Sequence, residues 1–234
     1  MALSHSPRIV TDGLVLCFDA ANPKSYPGSG ITWGDMSGLD NNTILFNGPT
    51  YNTSNSGSIV FDGSNDYGIT TSSVGNPSVF PDLTHIVWFY PTSAGQIIVE
   101  LGQNSINTAW HDSNIEIDSG GVIRFSTWHG SLSNRVTSSA QSFNRWYQLA
   151  MTYRASTQKC EAYINGVSIG TTTFVRQYSF TGAVFYAFCA NDSTNMSSSA
   201  YAGGGMSLYM FYRRELAATE ILDNFNCFRG RFGL

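Results

Sequence analysis

Two short acidic stretches are where this chain could do chemistry. In "FDGSND" (61–66), Asp62, Ser64 and Asp66 stand at every second position, which is how an oxygen-ligand loop for calcium begins. In "IEIDSG" (115–120), Glu116 and Asp118 alternate, so in a strand both carboxylates point to one sheet face. Paired carboxylates are the machinery of glycoside hydrolysis, whose retaining form needs them about 5–5.5 Å apart. Each stretch also has a plainer reading. A helix–loop–helix calcium loop needs flanking helices and a ligand near its twelfth position; counted from Asp62, that position is Ser73, and the flanks look like strands. A turn fits better, with Asp62-Gly63 and Asn65-Asp66 supplying the bend and Tyr67 starting a strand that enters the core. For Glu116 and Asp118 the plainer reading is an exposed strand face.

Other reactive types are scattered. His5, His85, His111 and His129 show no zinc spacing. No G-x-S-x-G elbow, phosphate loop or dinucleotide fingerprint is present. Cys17, Cys160, Cys189 and Cys227 form no C-x-x-C pair, and their spacing demands no disulfide. "AWHD" (109–112) and "TWHG" (127–130) each put a Trp before a His, so Trp110 and Trp128 can stack a sugar ring from a loop or merely stabilise that loop. Trp88 and Trp146 read as core residues.

The elements that must position these residues are strands. "THIVWFY" (84–90), "QIIVEL" (96–101), "NIEID" (114–118), "VIRFST" (122–127), "YQLAMTYR" (147–154), "KCEAYI" (159–164), "AVFYAFCA" (183–190) and "MSLYMFY" (206–212) carry β-branched and aromatic residues between turn signals. Ser119-Gly120-Gly121 and Asn165-Gly166 read as hairpin turns. Short strands with no helical pattern between them predict a sandwich or barrel. One helix is expected over 216–226, where Leu216, Ile221, Leu222 and Phe225 recur at helical spacing. Ala217 stands where a capping box wants Ser or Thr, so that helix should be short. The stretch 191–205 reads as a long loop inside one domain, 13–234, preceded by a polar arm, 1–12.

Composition narrows the function. Charged residues are 12% of 234, about half the usual share, and Ser, Thr, Asn and Gly fill the polar positions instead. That surface suits packed assemblies or sugar-like partners. A formal charge of −4 with two lysines, Lys24 and Lys159, argues against nucleic acid. Arg213, Arg214, Arg229 and Arg231 read as a solvated or inter-subunit patch. No apolar run approaches the roughly 18 residues of a membrane span, and no signal peptide is visible.

Longer stretches carry a resemblance. "SIVFDGSNDY" (58–67), "RWYQLAMTYRASTQKCEAYINGV" (145–167) and "LYMFYRRELAATEILDNF" (208–225) resemble the concanavalin A-like, laminin G-type jelly roll. "GLVLCFDAANPKSYPGSGITWGDMSG" (13–38) and "GRFGL" (230–234) resemble such jelly rolls encoded by tailed bacteriophages. The resemblance implies an all-β jelly-roll sandwich with one short C-terminal helix. Related jelly rolls often hold a structural calcium, which makes Asp19, Asp62 and Asp66 candidate ligands, although no cofactor is required. Laminarinase-type hydrolases of this architecture carry E-x-D-x-x-E; the position of their acid falls here on Gly121, so no catalysis is expected.

The phage likeness implies a virion protein, made in the host cytoplasm and placed on the particle surface. Because the chain reads as one jelly roll from Met1 with little left over, the leading expectation is a non-enzymatic capsid decoration or cement protein. Its partners would be the major capsid protein or other virion proteins, it would be a homo-oligomer, and the arm would hook a neighbouring subunit. The alternative is a lectin-like adhesin for host surface glycans, using Trp110, Trp128, Asn191, Asp192 and Tyr201.

Overall fold

Alternating apolar and polar residues become strands throughout a computed structural model that describes residues 8–106, 111–130, 133–177, 184–190 and 200–234. In chain order the strands begin with β1 (Leu14–Asp19), β2 (Thr32–Trp33), β3 (Thr43–Phe46), β4 (Thr50–Asn52), β5 (Ser58–Asp62), β6 (Tyr67–Thr70), β7 (Leu83–Pro91) and β8 (Gly95–Leu101). They continue with β9 (His111–Ile117), β10 (Val122–Phe125), β11 (Val136–Ala140), β12 (Tyr147–Arg154), β13 (Lys159–Ile164), β14 (Val167–Thr173), β15 (Phe185–Phe188) and β16 (Gly203–Tyr212). Helix α1 (Ala218–Phe228) and a 3-10 turn, Arg229–Phe232, close the chain.

The strands form two antiparallel sheets. The first runs β14-β13-β12-β7-β16-β5-β4, and the second β11-β10-β9-β8-β15-β6-β3-β2. β16 is long enough to serve two partners on one side: its first half pairs with β5 and its second half with β1. The "FDGSND" bend therefore joins β5 in one sheet to β6 in the other. The turn after β7 likewise crosses between sheets, whereas Asn165-Gly166 makes a local hairpin with both residues at positive φ, as a primed turn requires. This is the all-β sandwich that the sequence predicts.

Between the sheets lies the main core, with Phe18, Trp33, Phe61, Phe89, Phe125, Tyr186, Phe188 and Tyr209 among its buried rings. A second cluster covers the outer face of the first sheet, where α1 lays Ile221 and Phe225 on Ile86, Trp88, Leu208, Met210 and Tyr212. The Trp88 ring stacks 5.7 Å from Phe225 and 4.2 Å from Phe232. The helix is capped by half a capping box: the Ala217 N–H donates to Glu220 Oε2 at 2.8 Å, and Ala217 has no side-chain oxygen to return the bond. Tertiary packing of the apolar stripe, not the cap, sustains its 11 residues.

Several expectations change here. Tyr67 starts β6 but points away from the core, stacking on Phe46 at 4.8 Å, because the bend delivers it to the outer face of the second sheet. The arginines do not form one patch. Arg214 clamps Glu220, Arg231 pairs with Asp19, and Arg213 donates to the Val74 carbonyl with its guanidinium over Phe80, so each fastens a different segment. Of the stretch 191–205, residues 203–205 belong to β16 and 191–199 lie outside the described residues. In the arm, Ile9 and Val10 pack on the helix side of the first sheet, and the Val10 N–H donates to Asn224 Oδ1. No helix among the described residues is long and apolar enough to cross a membrane.

Candidate functional site

Glu116 and Asp118 do not stand on an exposed strand face. Glu116 is fully buried, and Arg135 Nη1 holds its Oε1 at 2.9 Å. Arg124 reaches between the two acids, 2.6 Å from Asp118 Oδ2 and 3.9 Å from Glu116. Burial raises the Asp118 carboxyl, but hydrogen bonds from Arg124 and the Val122 and Gly120 amides outweigh it and hold it below the usual range. Both carboxylates are thus engaged by arginines, and neither stands free on the strand face. Gly121 is also fixed by geometry: its φ is +80°, and a Cβ there would lie 2.1 Å from the Gln141 carbonyl oxygen. No acidic side chain fits at that position.

The three aspartates named for calcium are not gathered into one group. Asp62 Oδ1 accepts the amides of Ser64, Asn65 and Asp66, while Asp66 Oδ2 accepts the Asp62 N–H, so the two close the bend on themselves. The Ser64 and Asn65 amides hold Asp62 below the ordinary carboxylate range; burial, then the charge of Asp62, pushes Asp66 up. Asp19 is committed elsewhere, to Arg231 Nη1 at 2.8 Å. Among the described residues no three His, Cys, Asp or Glu side chains form a group that could hold a metal, and Asp19 does not join Asp62 and Asp66.

A buried acid–base group lies elsewhere, announced by no local motif. Glu100 of β8 and Asp112 of β9 are cross-strand neighbours, and the buried Arg176 donates to Glu100 Oε1. Desolvation raises both carboxyls, and the charge of Glu100 raises Asp112 further. The adjoining crevice, lined by Arg176, Tyr186 and Arg213, holds only about 10 Å³. That is room for no more than a water. Neither Glu100 nor Asp112 lines a described pocket.

Of the sugar-binding candidates, Trp110, Asn191 and Asp192 lie outside the described residues. Trp128 is half-buried and offers its carbonyl to the Gln177 N–H at 2.8 Å, which ties down its loop. Tyr201 stands 6.3 Å from Tyr67 on the outer face of the second sheet. Trp128 and Tyr201 therefore lie on separate elements, and no described pocket includes either.

A pocket forms instead around Trp146. Helix α1 roofs only part of the first sheet's outer face. Beyond the roof, strand alternation sends Tyr90 of β7, Ser58 and Val60 of β5 and Trp146, just before β12, to the same side. With Gly205 as part of the floor and Asn52, Ser54, Asn55 and Thr92 around them, they enclose about 310 Å³. Small-ligand pockets span about 300–1,000 Å³, so this one takes a small ligand. The Trp146 ring lies 5.5 Å from Tyr90 at 56° and 4.7 Å from Phe232. Its indole N–H donates to Asn55 Oδ1 at 3.0 Å.

Arg231 holds the wall of this pocket in place. Its Nε donates to the Asn55 carbonyl at 2.8 Å, and Nη2 donates to the Gly57 carbonyl and to Ser207 Oγ, while Nη1 meets Asp19. Asn55 returns a bond from Nδ2 to the Arg231 carbonyl and takes a φ of 55°, a left-handed conformation that asparagine tolerates. Trp146 is thus half-buried at a pocket, not a core residue. Its place outside the core was readable from Tyr147, which must point inward; the pocket was not, because it depends on where a helix some 80 residues later stops covering the sheet.

Known proteins share this architecture. The Laminin_G_3 family, described as the concanavalin A-like lectin/glucanases superfamily, matches residues 62–222, more than half of the sequence. The chain belongs to this superfamily. Tyr90, Trp146 and Gly205 lie inside the matched stretch of this concanavalin A-like chain, while Asn52, Asn55 and Ser58 precede it. No curated protein matches.

Among solved structures, a sialidase of Trypanosoma rangeli in complex with sialic acid superimposes with a TM-score of 0.63 at 12% identity, covering 95% of this chain and 35% of that one. The binding domain of botulinum neurotoxin DC in complex with rat synaptotagmin II gives 0.65 at 16% identity, covering 93% and 52%. Botulinum neurotoxin type C, whose cell entry depends on interaction with two ganglioside molecules, gives 0.64 at 16%, covering 93% and 51%. Identities this low show the fold alone. This concanavalin A-like chain spans about a third to a half of those proteins.

Proposed function

We propose that this chain is a non-enzymatic, lectin-like glycan-binding protein whose combining site is the Trp146 pocket. The observation that carries the reading is the pocket's make-up: two aromatic rings, Trp146 and Tyr90, face amide and hydroxyl side chains within a space of about 310 Å³. A sugar ring has apolar C–H faces and a polar rim of hydroxyls, so it complements such a surface. Membership of a lectin-containing superfamily and the fold shared with toxin binding domains support the same reading. The pairing of Glu116 and Asp118 with arginines supports the absence of hydrolysis.

The test is binding to a glycan array, followed by titration of any ligand found. Trp146→Ala should weaken binding about 10- to 30-fold, the effect of losing a central aromatic anchor. Unchanged affinity would remove the pocket from the account, and release of reducing sugar from the bound glycan would overturn the non-enzymatic reading.

The phage likeness of residues 13–38 and 230–234 supports a second reading, a virion surface protein bound to the major capsid protein or other virion proteins. The two are compatible in an appendage that carries a glycan-binding module. Mass spectrometry of purified particles tests the second: the chain should be present, and its absence would exclude a virion role.

A further inference from the structure

We infer that the Trp146 pocket is selective for a neutral sugar ring and rejects acidic ones. This inference rests on reading the pocket as the combining site. None of the nine residues lining it carries a charge: Asn52, Ser54, Asn55, Ser58, Val60, Tyr90, Thr92, Trp146 and Gly205. A sialic or uronic acid carries a carboxylate, and taking that group out of water without a cationic partner is costly. Recognition of a carboxylate is the usual work of an arginine fork.

The guanidinium behind the pocket wall is already committed. Arg231 directs Nε at the Asn55 carbonyl, Nη1 at the Asp19 carboxylate and Nη2 at the Gly57 carbonyl and Ser207 Oγ. Its charge is balanced by Asp19, and its side chain is largely covered, 13% exposed. Arg145, next to Trp146 in sequence, is exposed and is not part of the lining. The polar groups that do line the pocket are amides and hydroxyls, which donate and accept and so match sugar hydroxyls in either role. The tilted Trp146 and Tyr90 rings form a corner for one apolar ring face. The volume, at the low end for ligand pockets, fits one ring better than a long chain.

The experiment titrates the full chain with matched glycan pairs that differ only in a terminal sialic or uronic acid, at physiological salt. Two variants accompany the wild type: Trp146→Ala, and Thr92→Trp, which fills the mouth from an exposed rim position and leaves the core untouched. The neutral member of each pair should bind at least tenfold more tightly; Trp146→Ala should weaken that binding about 10- to 30-fold and Thr92→Trp should abolish it, both remaining folded by circular dichroism. Equal or tighter binding of the acidic member, lost in Thr92→Trp, would overturn the selectivity but leave the lectin reading standing. Neutral binding that survives both variants would overturn the inference by placing the ligand elsewhere. No binding to any glycan would overturn the lectin reading and the inference together.

Discussion

Arg176→Met will destabilise the protein by about 3–5 kcal/mol, the usual result of leaving one member of a buried ion pair alone. Arg176 and Glu100 are both almost wholly buried, with side chains 3% and 0% exposed. Methionine fills much of the arginine stem's volume, so the loss is electrostatic and not a cavity effect. Glu100 and Asp112 already hold their protons more tightly than ordinary carboxyls because of burial, and Arg176 opposes that in both. Without that cation the folded state must keep two buried carboxylates charged or take up protons. The penalty should therefore be larger at pH 8 than at pH 5, and Glu100→Gln in the same chain should restore part of it. Urea denaturation measures both effects; a loss below about 1 kcal/mol would mean that the pair contributes little.

His85→Gln will flatten the acid side of the stability profile. His85 sits inside the core, its Nδ1 paired with the Tyr209 hydroxyl at 2.8 Å and its ring edge-on to Tyr186 at 4.8 Å. Burial, then the nearby positive charge of Arg176, lowers its pKa from 6.5 to about 3. The sign follows from proton binding. Between pH 6.5 and about 3 the unfolded chain protonates this histidine and the folded one does not, so the wild type loses stability as pH falls through that window. The slope from this residue is about 1.4 kcal/mol per pH unit, accumulating to about 4–5 kcal/mol near pH 3. Glu100 and Asp112, raised by burial, act in the opposite direction, since the folded state gains their protons first. They are common to both proteins, so the difference between wild type and His85→Gln isolates the histidine. A pH-independent difference would show that His85 titrates normally in the fold.

The layers of the sandwich were legible because each strand's period of two reports its own buried face. β12 and β13 fall at the boundaries that the pattern predicts, and Asn165-Gly166 names its turn. What a single strand cannot report is its partner. "FDGSND" reads as a bend, but nothing in it says that β6 joins the other sheet, and this is why Tyr67 faces outward. Glu116 and Asp118 read as a surface pair because alternation gives the face and not its cover; Arg124 is across the hairpin, but Arg135 arrives from 19 residues away. The pocket was the least legible feature. Its walls come from β4, the turn at 54–56, the end of β7 and the start of β16, and its shape is set by Arg231 close to the C-terminus. Such convergence is a property of topology and leaves no local motif.

The most direct test of the central claim is where a sugar sits. In amide-resolved NMR spectra of the full chain titrated with its best neutral glycan, the Trp146 indole N–H and the amides of Asn52, Asn55 and Thr92 should shift together. They should saturate at one dissociation constant while the second sheet stays still. Shifts confined to Tyr67, Tyr201 and their neighbours, with Trp146 unmoved, would contradict it.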